Sequence, residues 1–366
     1  MKISIGSKIV QGPWGGGNLF AINLSNYLKD RGHEVYYDLS IPDIDLILLT
    51  DPRSRSESSS TFNHIEIEKY KELVNPNVAV VQRINECDER KNTENINQFY
   101  LNASNVADQV VFVSSWLRNI YVNIGMKKEK TSVILAGANP EIFNTENNNT
   151  WNRNSPLKIV THHWSSHKNK GFDIYKKLDE MVNKENWKNR IEFTYIGNMN
   201  NDYAFSHSNI VKPLAGHYLS AELKKHHLYV TASINEPSGN HHIEAAQCGL
   251  PILYTDSGGI PEYCNGFGLN FDNNNFESKL SEIISNYDKY IEKLKTYPFN
   301  SDKMCKEFLS LFEELVEEKQ KSKVDFKKGS KGNLLLIRNK TINKIRANIF
   351  LNIQSFVASL IRKLKK

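Results

Sequence analysis

Residues 235–262 of the 366-residue chain read NEPSGNHHIEAAQCGLPILYTDSGGIPE. This stretch predicts a Pro/Gly loop, an Ala-rich helix, a short β-strand at 251–255, a Gly-Gly turn and a helix that has Pro261 in its first turn. In an open α/β sheet, ligands bind outside the carboxyl ends of the strands, where such loops meet helix N-termini. The stretch therefore predicts a ligand site that contains the carboxylates Glu236 and Glu244.

The rest of the chain alternates between strand-like and helix-like segments. Strands are expected at 2–10, 33–39, 43–49, 78–81, 108–113 and 131–135, and again at 157–161, 191–196 and 228–232. An Asn-rich connector at 139–153 separates the two series. Regular alternation in both halves predicts an α/β protein with two doubly wound, Rossmann-like domains that face a cleft. We expect the domains to cover 1–145 and 146–320, followed by a tail at 321–366.

The composition is that of a globular chain, with 39% apolar and 24% charged residues. It has no run of about 18 consecutive apolar residues, the length needed to span a bilayer, and its first ten residues lack the apolar stretch of a signal peptide. Its four cysteines are widely spaced without a CxxC pair, so neither a zinc site nor a disulfide framework is indicated. These features favour a cytoplasmic protein.

The positive charge is concentrated in the tail. The chain has a net charge of +6, but residues 321–366 contain thirteen Lys or Arg and one acid, so the first 320 residues carry −6. The body therefore has no reason to bind nucleic acid, and we expect no such partner. In 342–366 apolar residues recur every three or four positions among basic ones, which predicts an amphipathic helix suited to in-plane membrane contact. The alternative is a helix that packs on its own protein or on a partner.

The two glutamates at 236 and 244 could form a general acid/base pair or bind a metal. Their spacing across a loop-to-helix junction favours a different use, in which one carboxylate accepts hydrogen bonds from sugar hydroxyls and the other from a ribose diol. The backbone N–H groups of Ser238, Gly239 and Asn240 lie between them and could meet phosphate or sugar oxygens at a helix start. Alternatively, Glu244 is simply an acid favoured by the helix dipole.

Residues 236–262 resemble the signature of retaining GT-B glycosyltransferases, the group 1 or family 4-like enzymes that include glycogen synthase and sucrose synthase. Glu236 and Glu244 match two glutamates that the family separates by seven residues. Three other matches occur in the same order as in the family: Gly15–Gly17 after the first strand, the interdomain-like segment 134–143, and Lys170-Gly171-Phe172 after the first strand of the second half.

The resemblance implies a role for each of these residues. Glu236 would face the donor sugar, Glu244 would bind the ribose, and Lys170 would neutralise the diphosphate, with Gly16 and Gly17 closing over it from the N-terminal domain. The activity implied is transfer of a sugar from a nucleotide-diphosphate sugar, with retention of configuration and without a metal or other cofactor. The acceptor would bind the N-terminal domain. Together with the tail, this favours a growing or lipid-linked glycan as acceptor, at the inner membrane face.

The sequence departs from the family at two points. The family's arginine before the Lys-Gly pair is missing from residues 161–171, THHWSSHKNKG, where Ser165, Ser166, His167 or Lys168 could take part of its role. The family's histidine after the fourth strand is also missing. In its region the acceptor-side candidates are Arg83, Asn85, Glu86 and Asp88.

Other interpretations remain open at this point. Gly15, Gly17 and Asp38 imitate a nicotinamide-binding fingerprint, but Phe20 occupies the third glycine position. A GT-B epimerase or phosphorylase would share the fold, and so would a non-catalytic membrane-surface scaffold. The histidines at 162, 163 and 167, and those at 241 and 242, are interpreted as ordinary polar loop residues, and no metal is expected.

Overall fold

Two parallel β-sheets organise the part of the chain that the computed structural model describes, residues 1–10, 15–53 and 60–345. The first sheet has the order β2-β1-β3-β4-β5-β6. Its strands are β1 (Lys2–Ile5), β2 (Glu34–Tyr36), β3 (Leu46–Leu49), β4 (Ala79–Ile84), β5 (Gln109–Phe112) and β6 (Thr131–Val133). The continuous apolar run LILL in β3 is buried along its whole length, as expected for a parallel strand that is covered on both faces.

The second sheet has the order β12-β11-β10-β7-β8-β9. Its strands are β7 (Leu157–His163), β8 (Ile191–Gly197), β9 (Asn209–Val211), β10 (Leu228–Thr231), β11 (Ile252–Thr255) and β12 (Gly268–Phe271). Strands β9 and β12 were not predicted from the sequence. Strand order reverses between β7 and β10, and such a switch point is where doubly wound sheets bind their ligands.

Helices cover both faces of the two sheets. They are α1 (Gly15–Lys29), α2 (His64–Leu73), α3 (Asp88–Lys91), α4 (Ile96–Ala103), α5 (Ser115–Asn123), α6 (Phe172–Met181), α7 (Gly216–Leu223), α8 (Asn240–Gln247), α9 (Ile260–Cys264), α10 (Phe276–Ser285), α11 (Tyr287–Leu294) and α12 (Ser301–Lys321). Local sequence sets several helix starts. Asn63 and Glu66 form a capping box at α2, and the Ser114 hydroxyl accepts from the Leu117 N–H at α5. None of the helices in the described ranges is long and apolar enough to cross a bilayer.

Alternate residues of the central strands belong to different cores. In β3, Ile47 packs in a core on one face of the first sheet, whereas Leu48 packs on the other face with residues of α1 and α12. In the second sheet, Ile159 and Val160 of β7 divide between two cores in the same way. This period of two is the pattern expected of strands that are buried on both sides.

Helix α12, which the sequence placed in the second predicted domain, packs on the first sheet. Phe308 and Phe312 of α12 are buried with Ile5 and Phe20, which belong to the N-terminal domain. The chain therefore crosses back after the second sheet is complete. Amphipathic spacing shows that one face of a helix will be buried, but it does not show which sheet will cover that face.

The tail also packs on the N-terminal domain. Residues 330–345 are helical, Leu336 is buried in a core of the first sheet, and the Asn339 side chain donates to the Leu39 carbonyl over 3.0 Å. The predicted amphipathic helix at 342–366 therefore begins earlier, at 330. Residues 346–366 of that prediction lie outside the described residues.

Two further element boundaries differ from the sequence predictions. Strand β1 ends at Ile5 and not at residue 10, and the glycines at 15–17 form the first turn of helix α1. Strand β4 continues through Gln82 and Arg83 to Ile84, all buried, although the predicted strand ended at residue 81. Polar side chains can occupy a buried strand when they find partners or stack on a ring, as Arg83 does.

Candidate active site

Lys170 and Glu236 meet at the switch point of the second sheet. Lys170 ends a 3-10 turn just after β7, and Glu236 follows β10, which is the neighbour of β7 in the sheet. Their side chains form an ion pair and are only 13% and 6% exposed. Because the carboxyl ends of parallel strands meet at one edge, two residues that are 66 positions apart become direct partners.

Two glycines permit this close approach. Gly171 has a φ of +86°, and a Cβ there would lie 2.2 Å from the Ala232 carbonyl oxygen. Gly258 has a φ of +67°, and a Cβ there would lie 2.3 Å from the Glu236 carbonyl oxygen. Any side chain at these positions would be strained and would collide with backbone, so the loops that carry Lys170 and Glu236 require glycine at both places.

Glu236 also pairs with a cation from the other domain. The Nε of Arg90, in α3, lies 3.4 Å from Glu236 Oε1. Burial opposes ionisation of the Glu236 carboxyl, but Arg90 and Lys170 together hold its pKa well below the usual range. The carboxylate is therefore ionised at neutral pH although little of it is exposed.

Helix α8 begins directly beside this ion pair. Its N-cap is Gly239, where a Cβ would lie 2.7 Å from a His241 ring carbon and 3.1 Å from Glu236 Cγ. Ser238 is half-buried just before the cap, and Asn240 is the first helical residue. A helix start that carries free N–H groups and faces a cleft is suited to binding anionic oxygens.

The predicted N-terminal glycines lie opposite this helix start. A Cβ on Gly16 would lie 3.1 Å from the Asn240 amide, whereas one on Gly17 would meet no atom within 4 Å. Gly16 thus contacts the second domain directly, and Gly17 leaves space beside it. The structure therefore brings the N-terminal glycines and the start of α8 to opposite walls of the same cleft.

Glu244 lies one turn further into α8 and is buried. Its Oε2 is 2.9 Å from the Nε2 of His162, at the end of β7, and the imidazole donates the hydrogen bond. His162 Nδ1 has no hydrogen-bond partner among the described residues. Glu244 is thus held in a fixed orientation by a residue that the sequence analysis interpreted as an ordinary loop histidine.

Four histidines are buried around the site, which corrects the interpretation of them as loop residues. His162 and His163 end β7, while His241 and His242 lie in α8. The rings of His163 and His241 are 4.7 Å apart, and those of His241 and His242 are 4.9 Å apart. Burial lowers the pKa of His163 and His241 well below the usual value and that of His242 to about 3, so these three rings are neutral. The sequence signal for these buried rings is the pairing of histidines, His162-His163 at a strand end and His241-His242 at a helix start.

No metal site accompanies these histidines in the described part of the chain. The described residues contain no group of three or more His, Cys, Asp or Glu side chains that could hold a metal ion. The imidazoles instead use neighbouring hydroxyls: His163 Nε2 is 2.7 Å from the Tyr175 hydroxyl, and His241 Nε2 is 2.9 Å from the Thr231 hydroxyl.

Two of the four acceptor-side candidates have structural partners. Arg83 is buried with its guanidinium 4.1 Å from the centre of the Phe20 ring, and burial lowers its pKa to about 10. Asp88 accepts hydrogen bonds from the backbone N–H groups of Ile96 and Asn97, so it caps the start of α4. Both side chains are thus held inside the N-terminal domain.

The other two candidates lie nearer the cleft. Glu86 is buried, and Lys91 Nζ at 3.0 Å, Arg90 Nη1 at 3.6 Å and Arg53 Nη2 at 3.8 Å surround its Oε2. Asn85 is half-buried beside it. Glu86 therefore shares Arg90 with Glu236, which links the acceptor-side cluster to the Lys170–Glu236 pair. Arg90 was not among the site residues predicted from the sequence.

Comparisons with known proteins agree with this architecture. Residues 160–286, which contain the site residues of the second domain, match the family described as "Glycosyl transferases group 1". The sequence matches no curated protein. The structure is similar to HepE of Anabaena in complex with UDP and glucose, with a TM-score of 0.63 at 14% identity, covering 86% of this chain and 100% of HepE.

Two other solved structures are similar over nearly the same range. Sucrose-phosphate synthase from Thermosynechococcus elongatus aligns with a TM-score of 0.57 at 15% identity, covering 87% of this chain and 99% of the other. The lipopolysaccharide outer core galactosyltransferase WaaB, in its apo form, aligns with a TM-score of 0.62 at 11% identity, covering 86% and 100%. At these identities the likeness concerns the fold: both sheets and their facing arrangement are those of GT-B glycosyltransferases.

Proposed function

From the match of residues 160–286 to the glycosyl transferases group 1 family and from the GT-B fold of the chain, we propose that the protein transfers a sugar from a nucleotide-diphosphate sugar to an acceptor. The observation that carries the proposal is the buried Lys170–Glu236 pair at the switch point, beside the start of α8. This arrangement offers a cation and helix-start N–H groups for phosphates next to a carboxylate for a sugar.

The chemistry of the site suits a leaving diphosphate. When the bond between the anomeric carbon and the diphosphate oxygen breaks, negative charge grows on the phosphate and the sugar becomes oxocarbenium-like. Lys170 and the N–H groups at the start of α8 would stabilise the first charge, and the ionised Glu236 would face the second. Because these groups supply the charge, we propose that the reaction needs no metal. Retention of configuration is proposed from the resemblance in the sequence.

Glu244 is proposed to bind the ribose of the donor. His162 occupies its Oε2, which leaves the other carboxylate oxygen to accept hydrogen bonds from a diol. HepE, whose solved complex contains UDP and glucose, supports a donor of this class.

We propose that the acceptor is a growing or lipid-linked glycan and that the protein works at the cytoplasmic face of a membrane. The docked helix at 330–345 leaves Leu334, Ile337 and Ile345 exposed by 65%, 62% and 53%. They recur along one face, and basic residues such as Arg338 and Lys344 accompany them. An apolar stripe with flanking positive charge suits a surface of anionic lipid.

Vesicle sedimentation tests this membrane contact. The double variant Leu334→Asp, Ile337→Asp keeps the buried Leu336 and is expected to lose binding to vesicles that contain phosphatidylglycerol, while the wild type sediments with them. The matched control replaces exposed Ile65 and Ile210, which lie elsewhere on the protein, with Asp. Equal sedimentation of the wild type and the stripe variant would contradict the proposal.

The donor is tested by thermal-shift screening against UDP-, GDP-, dTDP- and ADP-sugars, followed by turnover of the sugar that binds. A ligand that binds only the folded state raises the melting temperature, so a rise in melting temperature identifies the nucleotide sugar that binds. Transfer of radiolabel to an acceptor glycan is expected. Conversion of the donor to an epimeric nucleotide sugar would favour an epimerase. Release of sugar that depends on added phosphate would favour a phosphorylase, and the absence of any turnover would favour a non-catalytic scaffold.

A further inference from the structure

We propose that Arg90, carried by the N-terminal domain, binds the donor diphosphate together with Lys170. This assignment rests on the proposed function and adds to it a phosphate-binding residue from the opposite wall of the cleft. Lys170 and Arg90 converge on Glu236, at Oε2 and at Oε1 respectively. One carboxylate therefore holds two cations that come from different domains.

Charge balance indicates why a second cation is needed. The Lys170–Glu236 pair is neutral as a unit, and burial keeps the nearby rings of His163 and His241 uncharged. A nucleotide sugar brings one negative charge on each phosphate into this site. With Arg90 included, two cations face the single negative charge of Glu236, and a buried diphosphate needs such compensation.

The placement of Arg90 is fixed by the same loops that carry the other two charges. The side chain of Asn169, directly before Lys170, donates to the Arg90 carbonyl over 2.9 Å. The side chain of Asn235, directly before Glu236, donates to the Glu89 carbonyl over 3.1 Å. Each loop of the second domain thus holds one carbonyl of the short helix α3. These contacts fix the backbone from which the Arg90 side chain reaches Glu236.

Arg90 can leave Glu236 without becoming isolated. Glu86 lies one turn earlier, and its Oε2 is 3.6 Å from Arg90 Nη1, so one carboxylate remains beside the guanidinium. When a donor sugar takes the hydrogen bonds of Glu236, the Nε of Arg90 is released toward the phosphates. A planar guanidinium is also well matched to phosphate oxygens, which it can bind with two parallel N–H groups.

The other four residues considered for this role do not pair with Glu236 in the described part of the chain. Among Ser165, Ser166, His167 and Lys168, no hydrogen bond or ion pair within the described part of the chain reaches Glu236. The Ser165 hydroxyl accepts from the His167 N–H, and His167 Nδ1 accepts from the Asn169 N–H, so both stabilise their own turn. Ser165 and His167 are therefore held in their own turn, and none of these four described residues pairs with Glu236 as Arg90 does.

The test compares nucleoside diphosphates with their monophosphates, because a diphosphate carries the proposed ligand without any sugar. Dissociation constants for UDP, GDP and ADP, each with its monophosphate, are measured by calorimetry on the full chain. For the base that binds, Arg90→Gln is expected to weaken the diphosphate about tenfold or more and the monophosphate less than about threefold. Arg90→Lys, which keeps the charge, should recover part of the loss.

Lys91→Gln is the matched control, since it removes a positive charge from the same helix, where Lys91 pairs with Glu86. It is expected to change diphosphate binding less than about threefold. Equal diphosphate binding by Arg90→Gln and the wild type would overturn the assignment and leave the proposed function standing. A loss of affinity seen only with the intact nucleotide sugar would also overturn the assignment, because Arg90 would then act through Glu236. A wild type that binds none of the nucleotides would overturn the proposed function itself.

Discussion

Replacing Glu262 with Ala should loosen the contact between the two domains. Glu262 lies in α9 of the second domain, and its carboxylate accepts from the N–H groups of Ser115 and Trp116 over 2.9 Å each. These are the first N–H groups of α5 in the N-terminal domain, and the Ser114 hydroxyl accepts from the next one, that of Leu117. One domain therefore caps a helix of the other.

The size of the effect follows from two charge-assisted hydrogen bonds. Each is worth about 1.5–3 kcal/mol, but water replaces part of that at a half-buried side chain, so we expect a net loss of about 2–3 kcal/mol in domain closure. The closure equilibrium constant should fall about 30- to 150-fold. Glu262→Gln keeps one acceptor oxygen and should lose about half as much free energy.

Two measurements follow this change. Small-angle scattering should give a larger radius of gyration for Glu262→Ala than for the wild type, and kcat/KM for the nucleotide sugar should fall, since Arg90 and Lys170 no longer meet as often. Glu185→Ala, an exposed glutamate of the second domain, is the control. If Glu262→Ala matches this control in both measurements, the reasoning about an interdomain cap is refuted.

Two other variants test the packing of the site. Gly171→Ala should destabilise the protein by at least about 3 kcal/mol because its Cβ would collide with the Ala232 carbonyl. The control Gly32→Ala, with a similar φ of +80° but open space, should cost about 1–2 kcal/mol. Equal losses of stability in chemical denaturation would contradict the collision. Burial lowers the pKa of His242 to about 3. Between pH 6.5 and pH 3 the unfolded chain therefore binds a proton at this residue that the folded chain does not, so the free energy of unfolding falls as pH falls. His242→Leu should remove about 2 kcal/mol of the stability difference between pH 7 and pH 5, measured by denaturant unfolding. An unchanged pH dependence in His242→Leu would contradict a buried neutral ring.

Local sequence contains enough information for the fold and for one wall of the site. Apolar runs such as LILL and the regular alternation of strands and helices predict two doubly wound sheets, because parallel strands are covered on both faces. Lys170 and Glu236 follow strands that become neighbours at a switch point, so their meeting follows from topology. Their proposed roles toward a donor stay predictions.

The features that sequence reasoning missed depend on long-range packing. Arg90 belongs to a four-residue helix whose position is set by Asn169 and Asn235 of the other domain, and no local pattern shows such contacts. Helix α12 has an obvious apolar face, but the sheet that covers it is built from residues 2–133, at the other end of the chain. His163 and His241 look like surface residues because histidine is a polar residue that can carry a charge. Only the neutral ring can be buried without a large desolvation penalty, and the sequence does not show that these rings are neutral.

The central claim is that Glu236 acts on the transferred sugar, and turnover of a radiolabelled nucleotide sugar by Glu236→Ala tests it most directly. Loss of a preorganised charge beside the reacting carbon should lower kcat at least about 100-fold. Binding of the nucleoside diphosphate should persist, since Lys170, Arg90 and the start of α8 remain. Glu185→Ala should turn over the donor like the wild type. Turnover by Glu236→Ala equal to that of the wild type would contradict the account.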